Sequence, residues 1–355
     1  MVENCDFLLP LLTDIYKVYP CMSKRSLLQY LLLVMMALVV GACGRPTTDY
    51  VEVRGEALGT FVQLKCPALV SEGDLVAMVS RVDSVAKGSM SMFNPQSLLS
   101  RLNHNDTDSL DMHIAYNIEL ARRFSELSGG AYDITIKPLT DAWGFGRDRA
   151  IKEPNIDSLL EFVGYKKIAI EDNRLVKSDS RVAIDLNSIA KGYTVDLVAQ
   201  ELEAMGIEDY MVNIGGEVRT KGVNGLGRLW SVGIETPYDG NMMQDSLEKI
   251  IELEDEAVAT SGNYRRFYLT DEGDKIAHTI DPLSGHSVVS ELLSVTIVAP
   301  TCAEADAAAT MFMAMGSRSE TLELAKRCER EYGWSYYFIY ANGEDYRVEC
   351  SAEFR

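Results

Sequence analysis

The stretch 183–196, AIDLNSIAKGYTVD, limits the possible folds of this chain more than any other segment. The short apolar run Val182–Leu186 predicts a buried strand, and the apolar spacing within Asn187–Met205 predicts a helix directly after it. A helix start that serves only packing needs a cap and an apolar stripe. Lys191 and Gly192 in the first turns leave two interpretations: the glycine is incidental, or something must come close to this backbone.

Around this stretch, the predicted strands are mostly grouped, with helices between the groups. Helices are predicted at Leu75–Val85, Met112–Leu127, Cys302–Met315 and Ser319–Glu331. Strands are predicted on both sides of a turn at Gly59 within Val51–Lys65, and at Tyr210–Ile214, Leu229–Glu235, Ala257–Thr260, Arg266–Thr270, Ile276–Ile280, Leu293–Val298 and Ser335–Ala341. This grouping favours an α+β fold over a regular βαβ repeat. We expect one folded unit at residues 51–345 and a C-terminal tail at 346–355.

The amino end has the layout of a secretory signal. Lys24 and Arg25 precede an apolar run at 27–40, and small residues follow before Cys43. The sequence VGAC at 40–43 resembles a bacterial lipobox, which predicts a signal peptide region at 1–42, possible initiation at Met22, a lipidated Cys43 and a tether at 43–50. The expected location is the bacterial cell envelope, anchored by lipid and facing the periplasm. The alternative is an uncleaved signal anchor.

Composition excludes one class of partner. The chain of 355 residues has a formal net charge of −19, a pI near 4.7 and 47% hydrophobic residues, so it can bury a large core. The first 42 residues hold three acids and three bases, and the −19 therefore belongs to the rest of the chain. Nucleic-acid binding depends mainly on Lys and Arg that neutralise phosphates. We therefore expect no nucleic-acid binding by this acidic chain.

The cysteines beyond Cys43 are Cys66, Cys302, Cys328 and Cys350. Their spacing matches no pattern of a metal site. In an oxidising compartment they permit three disulfide pairings. Free or partly paired structural thiols are the other interpretation.

A candidate metal site lies on the helix that follows Pro300. Thr301 and Glu304 have the spacing of a capping box, which predicts that a helix begins here. Asp306 and Thr310 then lie four residues apart on one face, among small alanines. A carboxylate and a hydroxyl are suitable ligands for magnesium. The alternative is that Asp306 only interacts with the helix dipole.

His278 is one of only four histidines and precedes a turn in the sequence HTIDPLSG. Imidazole titrates near neutral pH, so a histidine beside Asp281 is a candidate general base. A hydrogen-bonded structural histidine is the alternative. The turns at Gly215–Gly216 and Ser261–Asn263 either bring backbone close to a ligand or are ordinary turns.

Eight motifs in order resemble one family. They are Leu58-Gly-Thr, Ser91-Met-Phe93 leading to Leu102-Asn103, SGGAYD at 128–133, IDLNSIAKGY at 184–193, NIGGE at 213–217, TSGN at 260–263, HTIDPLSG at 278–285 and ADAAAT at 305–310. This order is that of the ApbE family, the FAD:protein FMN transferases, and it covers about residues 50–345. Leu58 stands where the family usually has Met. The resemblance implies one catalytic unit of two intimately packed subdomains, with mixed sheets flanked by helices.

The resemblance also implies a reaction and a site. Such enzymes cleave the pyrophosphate of FAD with magnesium and attach FMN through a phosphoester to a Thr or Ser of a protein, releasing AMP. Their acceptors are subunits of sodium-pumping NADH:quinone reductase and related redox complexes. By position, Asp306, Thr310 and the backbone carbonyl of Ser188 resemble the magnesium ligands. The residues that resemble the FAD pocket are Leu58, Phe93, Ala131, Tyr132, Asp133, Asp185, Lys191, Thr279 and Ile280. The last two belong to the strand segment His278–Ile280, which resembles part of the same pocket.

These residue types suit the implied chemistry. Phosphoryl-type transfer needs positioning and neutralised charge, which magnesium and Lys191 would supply. His278 is the candidate base for the acceptor hydroxyl, with Asp281 in reserve. Two alternatives stay open: a magnesium-dependent FAD pyrophosphatase that releases FMN and AMP, and a lipid-anchored flavin-binding protein without turnover. A generic solute receptor would not need the pair Asp306 and Thr310.

Overall fold

The computed structural model describes residues 49–146, 154–238, 247–264, 267–270, 273, 275–343, 345–352 and 354. The predicted signal peptide, Cys43 and nearly all of the tether lie outside this range, as does Arg266 at the start of one predicted strand. The chain from Thr48 onward forms one compact unit and is not divided further into subdomains.

Strands make up the centre of the fold. They are β1 (Tyr50–Ala57), β2 (Thr60–Pro67), β3 (Ile168–Glu171), β4 (Arg174–Lys177), β5 (Tyr210–Ile214), β6 (Glu217–Lys221), β7 (Trp230–Glu235), β8 (Leu247–Leu253), β9 (Ala257–Gly262), β10 (Phe267–Leu269), β11 (Lys275–Ala277), β12 (Leu292–Ala299), β13 (Ser335–Asn342) and β14 (Asp345–Cys350). Eight of them form one antiparallel sheet in the order β1-β2-β5-β6-β9-β12-β13-β14. The pairs β3-β4, β7-β8 and β10-β11 are separate hairpins.

Helices are distributed along the chain. They are α1 (Glu72–Met90), α2 (Leu98–Asn103), α3 (Met112–Leu127), α4 (Lys137–Ala142), α5 (Ile156–Leu160), α6 (Ala190–Ala204), α7 (Cys302–Met315) and α8 (Ser319–Tyr332), with a 3₁₀ turn at Tyr165–Lys167. The combination of a large antiparallel sheet with helices confirms the predicted α+β class.

The large sheet is covered on both faces near its centre. Val295 and Ile297 of β12 belong to the apolar cluster that also contains the alanines of α7, whereas Val298 packs in the cluster formed with Trp230 and Ile251 of the β7-β8 hairpin. Side chains alternate between the two faces of a strand, and both faces of β12 are covered. Most residues of β12 are therefore apolar. This central strand leads directly into α7.

Helices α6 and α7 pack at Gly192, which answers the question raised by its position in the sequence. A Cβ at Gly192 would overlap the carbonyl group of Cys302 and lie 2.8 Å from Cβ of Asp306. The glycine therefore permits a close approach between two helix starts. The closely approaching group is the backbone of α7.

Two local predictions need correction. Val182–Leu186 is not a strand of any sheet: Ala183 makes one parallel bridge to Ile136, and the Asp185 amide donates to the carbonyl of Ile134 at 2.7 Å. An apolar run can be buried as an extended segment without a ladder, and periodicity does not distinguish the two. The helix after it begins at Ala190 rather than Asn187.

Thr301 caps α7 as predicted, since its hydroxyl accepts from the Glu304 amide at 3.3 Å. The Glu304 carboxylate, however, accepts from Arg123 at 2.7 Å instead of reaching back to the cap. Arg123 lies on α3, so this side chain links two helices. The segment predicted as a tail also contains β14, which pairs with β13 at the sheet edge.

Cys66, Cys302, Cys328 and Cys350 are all free thiols, and the first three are buried. The interpretation of unpaired structural cysteines is thus confirmed. Within the described part of the chain, no helix combines the length and the apolar character that a membrane crossing needs.

Candidate active site

A cavity of about 380 Å³ opens between the sheet, α6, α7 and the loops around His278. Eleven of the fourteen residues predicted for the site line it: Ala131, Tyr132, Asp133, Asp185, Ser188, Lys191, His278, Thr279, Ile280, Asp306 and Thr310. They come from segments spread over the sequence between Ala131 and Thr310, so it is the tertiary fold that brings them together.

The charged end of the cavity contains Lys191, Glu217 and Asp306. The Lys191 ammonium donates to Oε1 of Glu217 at 2.5 Å. Burial alone lowers the pKa of Lys191, but the negative charges of Glu217 and Asp306 outweigh it and raise that pKa. Lys191 is therefore a protonated cation that is paired with Glu217 and influenced by the charge of Asp306.

Asp306 is the most perturbed acid of the site. The residue is 4% exposed, and its carboxylate accepts from the Gly192 amide at 3.0 Å. Burial raises the pKa of Asp306 to about 7, with Glu217 acting in the same direction and Lys191 opposing it. A buried carboxylate of this kind gains from a nearby cation.

Hydroxyl groups line the wall next to Asp306. Thr310 lies one helical turn further along α7, and its Oγ1 is 3.2 Å from Oγ of Ser261 on β9. Thr260 pairs with Thr296 of β12 through their hydroxyls at 2.8 Å. This wall offers hard oxygen ligands beside the carboxylate.

The turn before α6 forms the opposite wall. Oγ of Ser188 lies 2.9 Å from the Tyr132 hydroxyl. The Asp185 carboxylate accepts from the Asn187 amide at 2.8 Å and from the Thr140 hydroxyl at 3.2 Å. Burial raises the pKa of Asp185, and these contacts partly offset it. The carboxylate is therefore fixed in place by its own turn.

Asp133 is held in a similar way. Both the amide and the hydroxyl of Thr135 donate to its Oδ1 at 2.7 Å. Burial raises the pKa of Asp133, and the bonds from Thr135 act against that rise. Asp133 and Asp185 thus have one carboxylate oxygen engaged by the protein backbone.

The loop that follows β11 carries His278 to the cavity. The ring of Phe145 meets the imidazole edge to face, with 6.3 Å between centroids. The Thr279 hydroxyl donates to Oδ1 of Asn263 at 2.6 Å, and its carbonyl accepts from Val288 at 2.9 Å. These two contacts, one to the side chain and one to the backbone, hold Thr279 next to His278.

A scan of the sequence against protein families matches residues 58–334 to the ApbE family. The chain belongs to the ApbE family. It is similar to the FAD:protein FMN transferase of Haemophilus influenzae, with 33% identity over 322 residues, 85% of this chain and 91% of that protein. The FAD:protein FMN transferase of Vibrio cholerae is 34% identical over 297 residues, 81% of this chain and 87% of that protein.

Solved ApbE structures have the same fold. The flavin transferase ApbE from Vibrio cholerae matches with a TM-score of 0.76 and 31% identity, over 86% of this chain and 98% of that one. The ApbE protein of Thermotoga maritima matches with a TM-score of 0.75 and 27% identity, over 86% and 97%. The predicted family and its enzyme class, flavin transferase, are confirmed.

Three predicted site residues of this ApbE-family chain are not in the cavity lining formed by the described residues. Leu58 has a left-handed backbone, with φ of 53°, and its amide donates to Asp83 at 2.7 Å. Phe93 is 51% exposed. Asp281 accepts from Arg318 at 2.6 Å and from the Leu283 amide at 3.0 Å, so its carboxylate holds the turn.

Other residues of the cavity were not assigned to the site from sequence: Ile136, Thr140, Phe145, Asn187, Glu217, Thr260, Ser261, Gly262, Tyr264, Pro282 and Ala314. Glu217 and Ser261 lie inside motifs recognised as belonging to the ApbE family, so position in the motif could have identified them. Phe145 and Thr140 carry no such signal, because only the tertiary fold brings α4 and the loop after it to the cavity.

Proposed function

We propose that this protein transfers FMN from FAD to a Thr or Ser hydroxyl of a target protein and releases AMP. The observation that carries the proposal is the meeting of Asp306, Thr310 and Lys191 at one end of a cavity that is also lined by residues of four further ApbE motifs. The relatives named FAD:protein FMN transferase support the substrate and the transferred group.

The donors at the charged end fit magnesium. Asp306, Thr310 and the carbonyl of Ser188 are the residues that would hold it, and all offer the hard oxygens that magnesium prefers. The fit also has a charge argument: Asp306 is buried and burial raises the pKa of its carboxyl group, so a bound cation would stabilise the charged form. The ion would supply neutralisation of charge on the pyrophosphate.

The protein's own groups then have separate tasks. Lys191 binds the pyrophosphate oxygens, and His278 takes the proton of the acceptor hydroxyl. The acceptor oxygen bonds to the phosphorus of the FMN half while the bond to the AMP phosphate breaks, so AMP leaves with the electron pair. Asp281 is the weaker candidate base, because its carboxylate is outside the described cavity lining and is already bound by Arg318 and by the Leu283 amide.

The chemistry alone also allows water as the acceptor, which would make the protein an FAD pyrophosphatase. Incubation with FAD and magnesium, with and without an acceptor domain, distinguishes the two. A transferase releases AMP in step with acceptor labelling and little free FMN. A pyrophosphatase releases equal FMN and AMP whether or not the acceptor is present. A non-catalytic flavin carrier would leave FAD intact in both samples.

The proposed acceptors are subunits of sodium-pumping NADH:quinone reductase or related redox complexes, and the proposed location is the cell envelope, anchored through lipidated Cys43. The lipobox-like VGAC segment supports the anchor. A protein held at the membrane outside the cytoplasm would meet redox subunits that present their acceptor threonine on that side.

A further inference from the structure

Glu217 is a buried carboxylate at the charged end of the cavity, and the chemistry above gives it no task. It is 3% exposed and is the first residue of β6. Its Oε1 accepts from the Lys191 ammonium at 2.5 Å. Its Oε2 is buried and makes no hydrogen bond within the described part of the chain.

The backbone fixes the position of this carboxylate. Gly215 and Gly216, with φ of 68° and 111°, form the tight turn between β5 and β6. The Gly216 amide donates to Oδ1 of Asn213 at 3.0 Å, and a Cβ at Gly215 would come 2.7 Å from the methyl group of Thr60. Glu217 is therefore placed by the sheet and cannot easily follow a moving partner.

Lys191 is different, because its long stem has four rotatable bonds and its side chain is 39% exposed. Without a fixed partner, the ammonium could turn away from the cavity and into solvent. A pair formed only for stability would be expected to satisfy both carboxylate oxygens, since an unpaired buried oxygen is unfavourable. The arrangement fits a residue that orients a functional lysine.

We propose that Glu217 is a positioning residue, which holds the Lys191 ammonium at the charged end of the cavity so that it meets the pyrophosphate of FAD. Glu217 acts through Lys191 and is not itself a ligand of the cation. The inference rests on the proposed function only for the identity of the bound molecule.

The test uses Glu217→Gln, Lys191→Met and the double variant. FAD binding is followed by quenching of flavin fluorescence in the presence of a chelator, which prevents turnover. Each single change should weaken FAD binding on the order of tenfold, and the double variant no more than Lys191→Met, since groups in one ion pair are not additive. Magnesium binding to the FAD-free protein, measured by calorimetry, should change much less in Glu217→Gln.

Two results would overturn the inference. One is FAD binding by Glu217→Gln equal to that of the wild type. The other is loss of magnesium binding in Glu217→Gln with unchanged FAD binding in chelator, which would make Oε2 a direct ligand. If the wild type itself does not bind FAD, the proposed function fails instead, so the two failures are distinguishable.

Controls separate positioning from folding. Glu201→Gln is the matched change on α6, at an exposed residue paired with Arg81, and should bind FAD normally. Glu217→Asp keeps the charge with a shorter stem and should give an affinity between those of the wild type and Glu217→Gln. Should Glu217→Gln not fold by circular dichroism, Glu217→Asp against Lys191→Met carries the test. In transfer assays the change should raise KM for FAD more than it lowers kcat.

Discussion

Asp306 is an acidic residue in surroundings that disfavour its negative charge. Its carboxylate is buried beside Glu217, and the positive charge of Lys191 only partly compensates, so the pKa of Asp306 rises to about 7. A residue chosen for stability alone would not be an acid here. The cost of this burial is consistent with the proposed role of the carboxylate in holding a cation.

Asp306→Ala should fold but lose nearly all FMN transfer. Loss of the carboxylate removes charge stabilisation at the pyrophosphate, and the expected drop in kcat is on the order of a thousandfold. Glu304→Gln is the control on the same helix, because its side chain pairs with Arg123 at the surface. The measurement is transfer rate at saturating magnesium. Full activity of Asp306→Ala would remove the metal assignment.

The raised pKa of Asp306 has a consequence for stability. Between its ordinary value of 3.8 and about 7, the folded state binds a proton that the unfolded state does not. The free energy of unfolding of the metal-free protein should therefore fall as pH rises through this window. Urea denaturation in chelator at several pH values measures it, and Asp306→Asn should show a shallower decrease. An equal slope in both proteins would contradict the shift.

Residue types and motif positions predicted most of the cavity lining, but not the interactions among those residues. Lys191 and Asp306 were predicted as site residues, whereas the partner of Lys191 was not, because Glu217 is 26 residues away on a strand across the cavity. Asp281 was a reserve base, and its pairing with Arg318 depends on where α8 begins. Such pairings exist only after the elements have packed.

At the scale of elements, the contact between α6 and α7 is decisive. Gly192 lets the two helix starts approach, and the Asp196 carboxylate of α6 accepts from the amides of Cys302 and Ala303 at 2.9 Å. Asp196 also pairs with Arg219 of β6 at 2.6 Å. This network fixes the start of α7, and therefore the position of Asp306 on that helix.

Gly192→Ala should destabilise the protein by about 1–3 kcal/mol or more, because the added methyl group forces α6 and α7 apart. Thermal denaturation with transfer assays measures the effect. Gly88→Ala is the matched control within α1, where nothing lies within 4 Å of the added carbon. It should be neutral or stabilise by about 0.5–1 kcal/mol. Similar effects of both changes would contradict the close packing.

Asp196→Ala should cost about 3–5 kcal/mol, since it leaves the largely buried Arg219 without its partner and uncaps α7. Denaturant unfolding provides the measurement. Asp108→Asn removes one partner of the exposed pair with Arg174 and should stay within about 0.5 kcal/mol of the wild type. A small effect at Asp196 would show that the network does not hold α7.

Element prediction succeeded where the periodicity was long and strong. Met112–Leu127 and Cys302–Met315 agree with α3 and α7 at both ends. It failed at Val182–Leu186, where an apolar run is extended but unpaired, and it missed the short hairpin β3-β4 and the short helices α2, α4 and α5. It also missed β6, β8 and β14. Polar and charged residues interrupt the apolar pattern in those three strands, and their pairing depends on distant neighbours.

At the scale of the whole molecule, the order of strands explains why distant motifs meet. Strands β6, β9 and β12 are neighbours in the sheet although 75 residues separate the starts of the first and the last. The turn before β6, the end of β9 and the helix after β12 therefore open on one cavity. The α+β class followed from the grouping of strands, but this order did not.

The predicted lipid anchor at Cys43 can be tested on the intact mature protein. Mass spectrometry of the mature protein from a bacterial membrane should find Cys43 as its first residue, with a lipid modification. Cys43→Ser should prevent both processing and lipidation. An intact amino end from Met1 or Met22 would support the uncleaved signal anchor instead.

Intact-protein mass spectrometry of the acceptor is the decisive measurement for the proposed transfer of FMN to a protein hydroxyl. An acceptor domain of a sodium-pumping NADH:quinone reductase is incubated with FAD, magnesium and the enzyme. We expect the acceptor to gain the mass of one FMN on a single Thr or Ser. The gain should be absent when chelator is added or when that residue is replaced by Ala. An unmodified acceptor together with free FMN and AMP would contradict it.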